Sequence, residues 1–73
     1  MKLFTKTVCP KCMLVKTMMD AKGIEYETVN IDNDEQHRQE IIDKGFMSVP
    51  ILFHEGQYYT DVKDITRIVG EFE

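Results

Sequence analysis

Apolar residues along this chain switch repeatedly between short strand-like runs and helical spacing. Lys2-Leu3-Phe4-Thr5 reads as a short strand and Lys6 to Cys9 as a connection. Pro10 suits the first turn of a helix, where its missing N–H has no partner to lose. From Pro10 to Lys22 the spacing predicts a helix, with Leu14, Met18 and Ala21 on one stripe and Val15 and Met19 beside it. Gly23 supplies a left-handed stop. Glu25 to Ile31 alternates: Tyr26, Thr28 and Asn30 take one face, Glu27, Val29 and Ile31 the other. Its β-branched content predicts a second strand.

Asp32-x-x-Glu35 reads as a helix start, with Asp32 as N-cap and Glu35 reaching back. That helix runs to about Lys44 and closes at Gly45, and Ile41 and Ile42 are its only aliphatic anchors. Ile51-Leu52-Phe53-His54 is a third strand, Glu55-Gly56 a turn, and Gln57 to Thr60 the returning strand of a hairpin. Tyr58 and Tyr59 alternate on it, so one should face the core and the other solvent. Asp61-x-x-Asp64 can cap a last helix in which Val62, Ile65, Ile68 and Val69 stand at helical spacing. The order is βαβα, a β-hairpin, then α. The first two strands, joined through a helix, should be parallel with a right-handed crossover. The hairpin should complete the sheet in antiparallel sense, with helices on both faces.

At 73 residues the chain is expected to form one small domain over 1–73. A chain of this size buries only about 60% of its unfolded surface, so its core is modest. The hydrophobic fraction of 42% suffices for that core and argues against disorder. Nine Lys and Arg against thirteen Asp and Glu leave a net charge of −4 with no basic cluster, which excludes nucleic acid as an expected partner. The longest apolar runs, Cys12 to Val15 and Val49 to Phe53, fall far short of the roughly 18 residues a membrane span needs. No signal-type apolar stretch follows Lys2, so a cytoplasmic protein is expected.

The two cysteines, Cys9 and Cys12, stand three positions apart. A disulfide closing so small a ring constrains the unfolded chain by only about 2 kcal/mol. It is a poor staple and makes more sense as a reversible bond, of the kind kept in reducing compartments. C-x-x-C directly after a strand and opening a helix reads as a thiol redox motif. Cys9 would sit at the helix N-terminus, where unpaired N–H groups and the macrodipole favour the reactive thiolate. Lys6 and Lys11 add positive charge nearby. Cys9 would exchange with an outside disulfide, and Cys12, one turn in, would resolve the product. The alternative is half of a structural zinc site. It needs two more ligands, and His37 and His54 lack ligand spacing, so no metal is expected.

Ser48-Val49-Pro50 precedes the third strand. Pro50 can be a simple strand-opening proline. It can also be cis, the conformer only proline adopts cheaply, in a loop facing Cys9. Val49 would then offer its backbone to an extended substrate in an added-strand mode.

Phe4-Thr5-Lys6 leading into Cys9-Pro10-Lys11-Cys12, followed by Ser48-Val49-Pro50-Ile51 and the Gly56 hairpin, resembles a glutaredoxin over nearly the whole chain. The resemblance implies the minimal thioredoxin fold, an α/β arrangement of order βαβα-ββα with a four-stranded mixed sheet and three helices. It implies a cis Pro50 and a dithiol–disulfide oxidoreductase. By the same resemblance Lys6 contacts a glutathione carboxylate, Val49 pairs its backbone with the glutathione cysteine, and Lys63-Asp64 hold the glutamyl end. Lys11 borders the site between the cysteines. Four positions depart from the family: Lys11 replaces a common tyrosine, Ser48 a usual threonine, and Thr60-Asp61 a Gly-Gly pair. Asp61 brings negative charge to a site for an anionic tripeptide.

The short variant called NrdH-redoxin, reduced by thioredoxin reductase and feeding electrons to ribonucleotide reductase, is similar in length. Its aromatic-rich C-terminal segment is missing here, since Asp61 to Glu73 holds only Phe72. The expected partners are disulfide-bearing proteins, ribonucleotide reductase among them, with thioredoxin reductase or glutathione as electron donor and no tightly bound cofactor. A monomer is expected. A second function from the same resemblance is a glutathione-dependent iron–sulfur cluster carrier using the Cys9 thiolate. His37 and His54 are expected as surface residues without a role, and Met13, Met18 and Met19 as flexible core filling.

Overall fold

The computed structural model describes residues 1–46 and 48–72. In chain order it has β1 (Lys2–Thr5), α1 (Pro10–Ala21), β2 (Glu27–Asn30), α2 (Glu35–Asp43), β3 (Ile51–His54), β4 (Gln57–Tyr59) and α3 (Val62–Glu71). The strands form one sheet in the order β2-β1-β3-β4. β1 pairs parallel with β2, and β3 pairs antiparallel with both β1 and β4. This is the thioredoxin-like α/β fold, with three helices on a four-stranded mixed sheet.

The pleat sends alternate residues of each strand to opposite faces. Leu3 stands opposite Leu52, and these two pack with Val15 and Met19 of α1 and Ile65 and Val69 of α3. One residue along, Phe4 stands between Val29 and Ile51, and these face Ile41 of α2. Two helices therefore cover one face and one helix the other. Hydrophobic burial on both faces is what holds so short a sheet together.

The hairpin turn is built from Glu55 and Gly56, both at positive φ, 50° and 78°. Two successive positive φ values define the turn whose twist matches paired strands. Gly23, at φ 68°, follows the end of α1 as expected.

Several details differ from the sequence reading. β2 begins at Glu27, two residues late, and Tyr26 lies before it with its hydroxyl donating to Asp20 at 2.9 Å. The buried face of α1 is Cys12, Val15 and Met19, whereas Leu14 is 53% exposed and Ala21 is exposed. The N-cap of α2 is Asp34, which accepts the His37 N–H at 3.1 Å; Asp32 is committed elsewhere. Tyr58 and Tyr59 are both half-buried, because each meets a covered face: Tyr58 the Phe4 cluster and Tyr59 the Leu3 cluster. The histidines are half-buried as well. His37 Nδ1 lies 2.7 Å from Asp34 Oδ2, and His54 Nε2 lies 3.8 Å from Glu55 Oε1. Among the described residues no helix is long and apolar enough to cross a membrane.

Candidate active site

β1 delivers the chain to one end of the sheet, and α1 starts after the four connecting residues Lys6 to Cys9. Cys9 is the N-cap of α1, with extended backbone at φ −152° and ψ 92°. Its Sγ accepts the Cys12 N–H at 3.1 Å, and Pro10 fills the first helical position. A sulfur thus takes the place usually held by a Ser or Asp oxygen. Cys9 and Cys12 form a disulfide with Cα atoms 5.2 Å apart.

The two cysteines are unequal. Cys12 is 2% exposed beneath the helix start, whereas Cys9 is partly exposed. The Cys12 N–H donates to the Cys9 sulfur at the positive end of the α1 dipole. Donors and dipole there stabilise a thiolate. The accessible sulfur is therefore also the activated one.

Cys9 opens into a cleft of about 370 Å³ lined by Lys6, Val8, Cys9, Pro10, Lys11, Ser48 and Val49. The Val49–Pro50 peptide is cis, and the Val49 carbonyl oxygen lies 4.0 Å from Cys9 Sγ. The cleft gathers Lys6, Lys11, Cys9 and Val49. Pro50 is buried behind Val49 and does not line it. Lys63 and Asp64 do not line it either. They lie in the first turn of α3, where the Lys63 N–H donates to Asp61 Oδ1 at 2.9 Å and Asp64 pairs with Arg67 at 3.6 Å. β1 and β4 both run antiparallel to β3, so α1 and α3 start at the same end of the sheet.

Other residues around Cys9 were not assigned to the site by sequence reasoning. Val8, 84% exposed, lines the cleft with Cys9, whereas Met13, expected as core filling, is instead 68% exposed on α1. A groove of about 470 Å³ adjoins the cleft and shares Lys6, Ser48 and Val49 with it. Ile31, Ile42 and Phe46 give that groove apolar walls, and Arg38 adds a second cation beside Lys6. Asp32 accepts the Thr7 N–H at 2.9 Å two residues before Cys9. Only the solitary Val8 in a polar connection could have signalled any of this from sequence.

A glutaredoxin family model matches residues 1–59. Glutaredoxin 3 of Escherichia coli is 29% identical over 65 residues, covering 88% of this chain and 78% of the relative. The glutaredoxin-like protein NrdH of Lactococcus lactis is 26% identical over 50 residues, covering 68% of this chain and 69% of the relative. The solved structure of the glutaredoxin-like protein NrdH-redoxin from Escherichia coli superposes with a TM-score of 0.81 at 20% identity, covering 92% of this chain and 91% of that one. The family match stops short of Asp61, at the segment where the sequence departs from the expected glycines. The chain belongs to the glutaredoxin family of thiol–disulfide oxidoreductases.

Proposed function

We propose that this redoxin reduces disulfides of other proteins and takes its electrons more readily from a flavoprotein reductase than from glutathione. One observation carries the reading: Cys9 is the partly exposed, amide-stabilised member of a disulfide whose other sulfur is buried. In the reduced protein the Cys9 thiolate attacks one sulfur of the substrate disulfide. A mixed disulfide forms, and the other substrate sulfur leaves as a thiolate and takes up a proton. Cys12 then loses its proton and attacks Cys9 Sγ. The second substrate thiol departs, and the Cys9–Cys12 disulfide remains. Two electrons have moved, and a reductase must return them.

Val49, beside Pro50, is the proposed backbone contact for an extended substrate, with Lys6 and Lys11 flanking it. Lys63 and Asp64 are the proposed contacts for the glutamyl end of glutathione, and the neighbouring Asp61 carboxylate weakens that use. Ribonucleotide reductase is a proposed acceptor, by resemblance to the NrdH-redoxins. The test supplies NADPH with either thioredoxin reductase or glutathione plus glutathione reductase, and insulin as the disulfide substrate. Faster turnover with thioredoxin reductase is expected. Turnover with glutathione alone overturns the donor assignment, and a brown, glutathione-bound dimer inert toward insulin supports the cluster-carrier function instead.

A further inference from the structure

The end of β2 grips the loop that carries Cys9. The Thr7 N–H donates to Asp32 Oδ2 at 2.9 Å, and Asn30 Nδ2 donates to Thr7 Oγ1 at 3.3 Å. The Asp32 N–H in turn donates to Asn30 Oδ1 at 2.9 Å. Just before this point the Ile31 N–H reaches the Thr5 carbonyl at 2.9 Å, continuing the parallel pairing past the strands. Thr7 is thus tied through backbone and side chain, and only Val8 separates it from Cys9.

Asp32 also brings a fixed charge. Lys6 precedes Thr7 in the chain and lines the groove beside the redox cleft together with Arg38 and Ile31. The Thr7 N–H holds the Asp32 carboxyl below the ordinary carboxylate range, and the charges of Lys6 and Arg38 act in the same direction. The group is ionised at neutral pH, bonded to the residue after Lys6 and next in the chain to Ile31, which lines the groove with Lys6 and Arg38. A tethered anion there offsets the field that would draw a small anionic reactant to Cys9. A neutral reactant, or a protein segment placing apolar side chains on the groove walls, does not feel that offset.

We propose that Asp32 is a positioning and specificity-determining residue of the exchange reaction: it fixes the redox loop through Thr7 and, as a built-in counter-ion to Lys6 and Arg38, disfavours anionic reactants at Cys9. The inference rests on Cys9 being the attacking thiolate.

The experiment alkylates the reduced protein with iodoacetate, which is anionic, and with iodoacetamide, which is neutral. Both reagents attack the same thiolate, so their rate ratio reports the local field rather than the thiolate fraction. Asp32→Asn keeps an oxygen for the Thr7 N–H and removes the charge. It should raise the iodoacetate-to-iodoacetamide ratio about threefold at low ionic strength, and the gain should vanish near 1 M salt. Arg38→Gln in the Asp32→Asn background should bring the ratio back down. Asp32→Ala should raise the ratio similarly and also slow dithiothreitol-driven insulin reduction more than Asp32→Asn does, because Thr7 loses its acceptor. A ratio unchanged in Asp32→Asn overturns the counter-ion role, and equal insulin turnover in the two variants overturns the positioning role. If Asp32→Ala does not fold while Asp32→Asn does, the acceptor role stands and the alkylation ratio still decides the charge. A wild-type protein that alkylates at Cys9 but reduces no insulin defeats the proposed function, and the ratio still decides the counter-ion role of Asp32 independently.

Discussion

The backbone N–H of Cys12 points at Cys9 Sγ from 3.1 Å, so the residue proposed to resolve the exchange also stabilises the one proposed to begin it. The stabilising group is the amide and the resolving group is the thiol, and a side-chain substitution separates them. Cys12→Ser keeps the amide and loses the thiol. It should attack protein disulfides at a rate near that of the wild type and then stop as a stable mixed disulfide through Cys9, visible by mass spectrometry as a one-to-one adduct. Cys9→Ser should form no adduct and show no turnover. Activity surviving in Cys9→Ser and lost in Cys12→Ser would reverse the two roles.

Acid should weaken the fold through the two aspartates beyond β2. Asp34 is held below its ordinary value chiefly by the His37 N–H and then by the His37 ring, and Asp32 chiefly by the Thr7 N–H. Both folded-state values are depressed. Each group therefore contributes stability that is fully present above its unfolded value, about 3.9, and is lost as pH falls through the lower folded value. Urea midpoints should be flat from pH 7 to about 5 and drop toward pH 3. In Asp34→Asn the acid drop should be smaller, and an unchanged drop would place the acid sensitivity elsewhere.

The element order could be read from sequence because its punctuation is local. Pro10 opens α1, Gly23 closes it, Glu55-Gly56 turns the hairpin and Asp61 caps α3, each acting within a few residues of itself. The pairing of Cys9 with Cys12 at the start of α1 was legible for the same reason. The misplacements arose where long-range contacts chose between local equals. Asp32 and Asp34 are equally good caps by composition, but Asp32 is drawn to Thr7, 25 residues back, and Asp34 is left to start the helix. In α1 the neighbours Leu14-Val15 and Met18-Met19 offer two apolar stripes, and the sheet selects Val15 and Met19. Arg38 and Ile42 reach the groove beside Cys9 only because α2 packs on that face, which no spacing along the chain reveals.

Leu52 should be among the least replaceable residues. It is fully buried in β3, opposite Leu3 on one side and Tyr59 on the other, beneath α1 and α3. Leu52→Ala removes its packing and leaves a cavity, at a cost of roughly 2–5 kcal/mol. Small domains have only about 5–15 kcal/mol in total. The variant should lose a large part of its urea midpoint, and insulin reduction should fail at temperatures the wild type tolerates. A midpoint within error of the wild type would mean that the α1–α3 face collapses around the gap.

Asp61 carries the last prediction, about the electron donor. Its Oδ1 accepts the Lys63 N–H at 2.9 Å, so the carboxylate caps α3 at the end of the sheet from which α1 also starts. Glutathione is an anionic tripeptide, and the resemblance places its glutamyl end near Lys63 and Asp64, next to this carboxylate. Replacing the Asp cap by Gly costs only a few tenths of a kcal/mol, because Gly is itself a tolerated cap. Removing the charge should meanwhile relieve repulsion of a bound carboxylate, on the order of tenfold in affinity at low ionic strength and less at physiological salt. Asp61→Gly should therefore lower the KM for glutathione-dependent turnover and leave turnover through thioredoxin reductase nearly unchanged. Asp61→Asn, which keeps a capping oxygen, should show the same gain if charge is the cause. Fast glutathione-dependent turnover in the wild type, unaltered by either substitution, would mean that the carboxylate lies outside the field of the bound tripeptide and that glutathione is this redoxin's ordinary reductant.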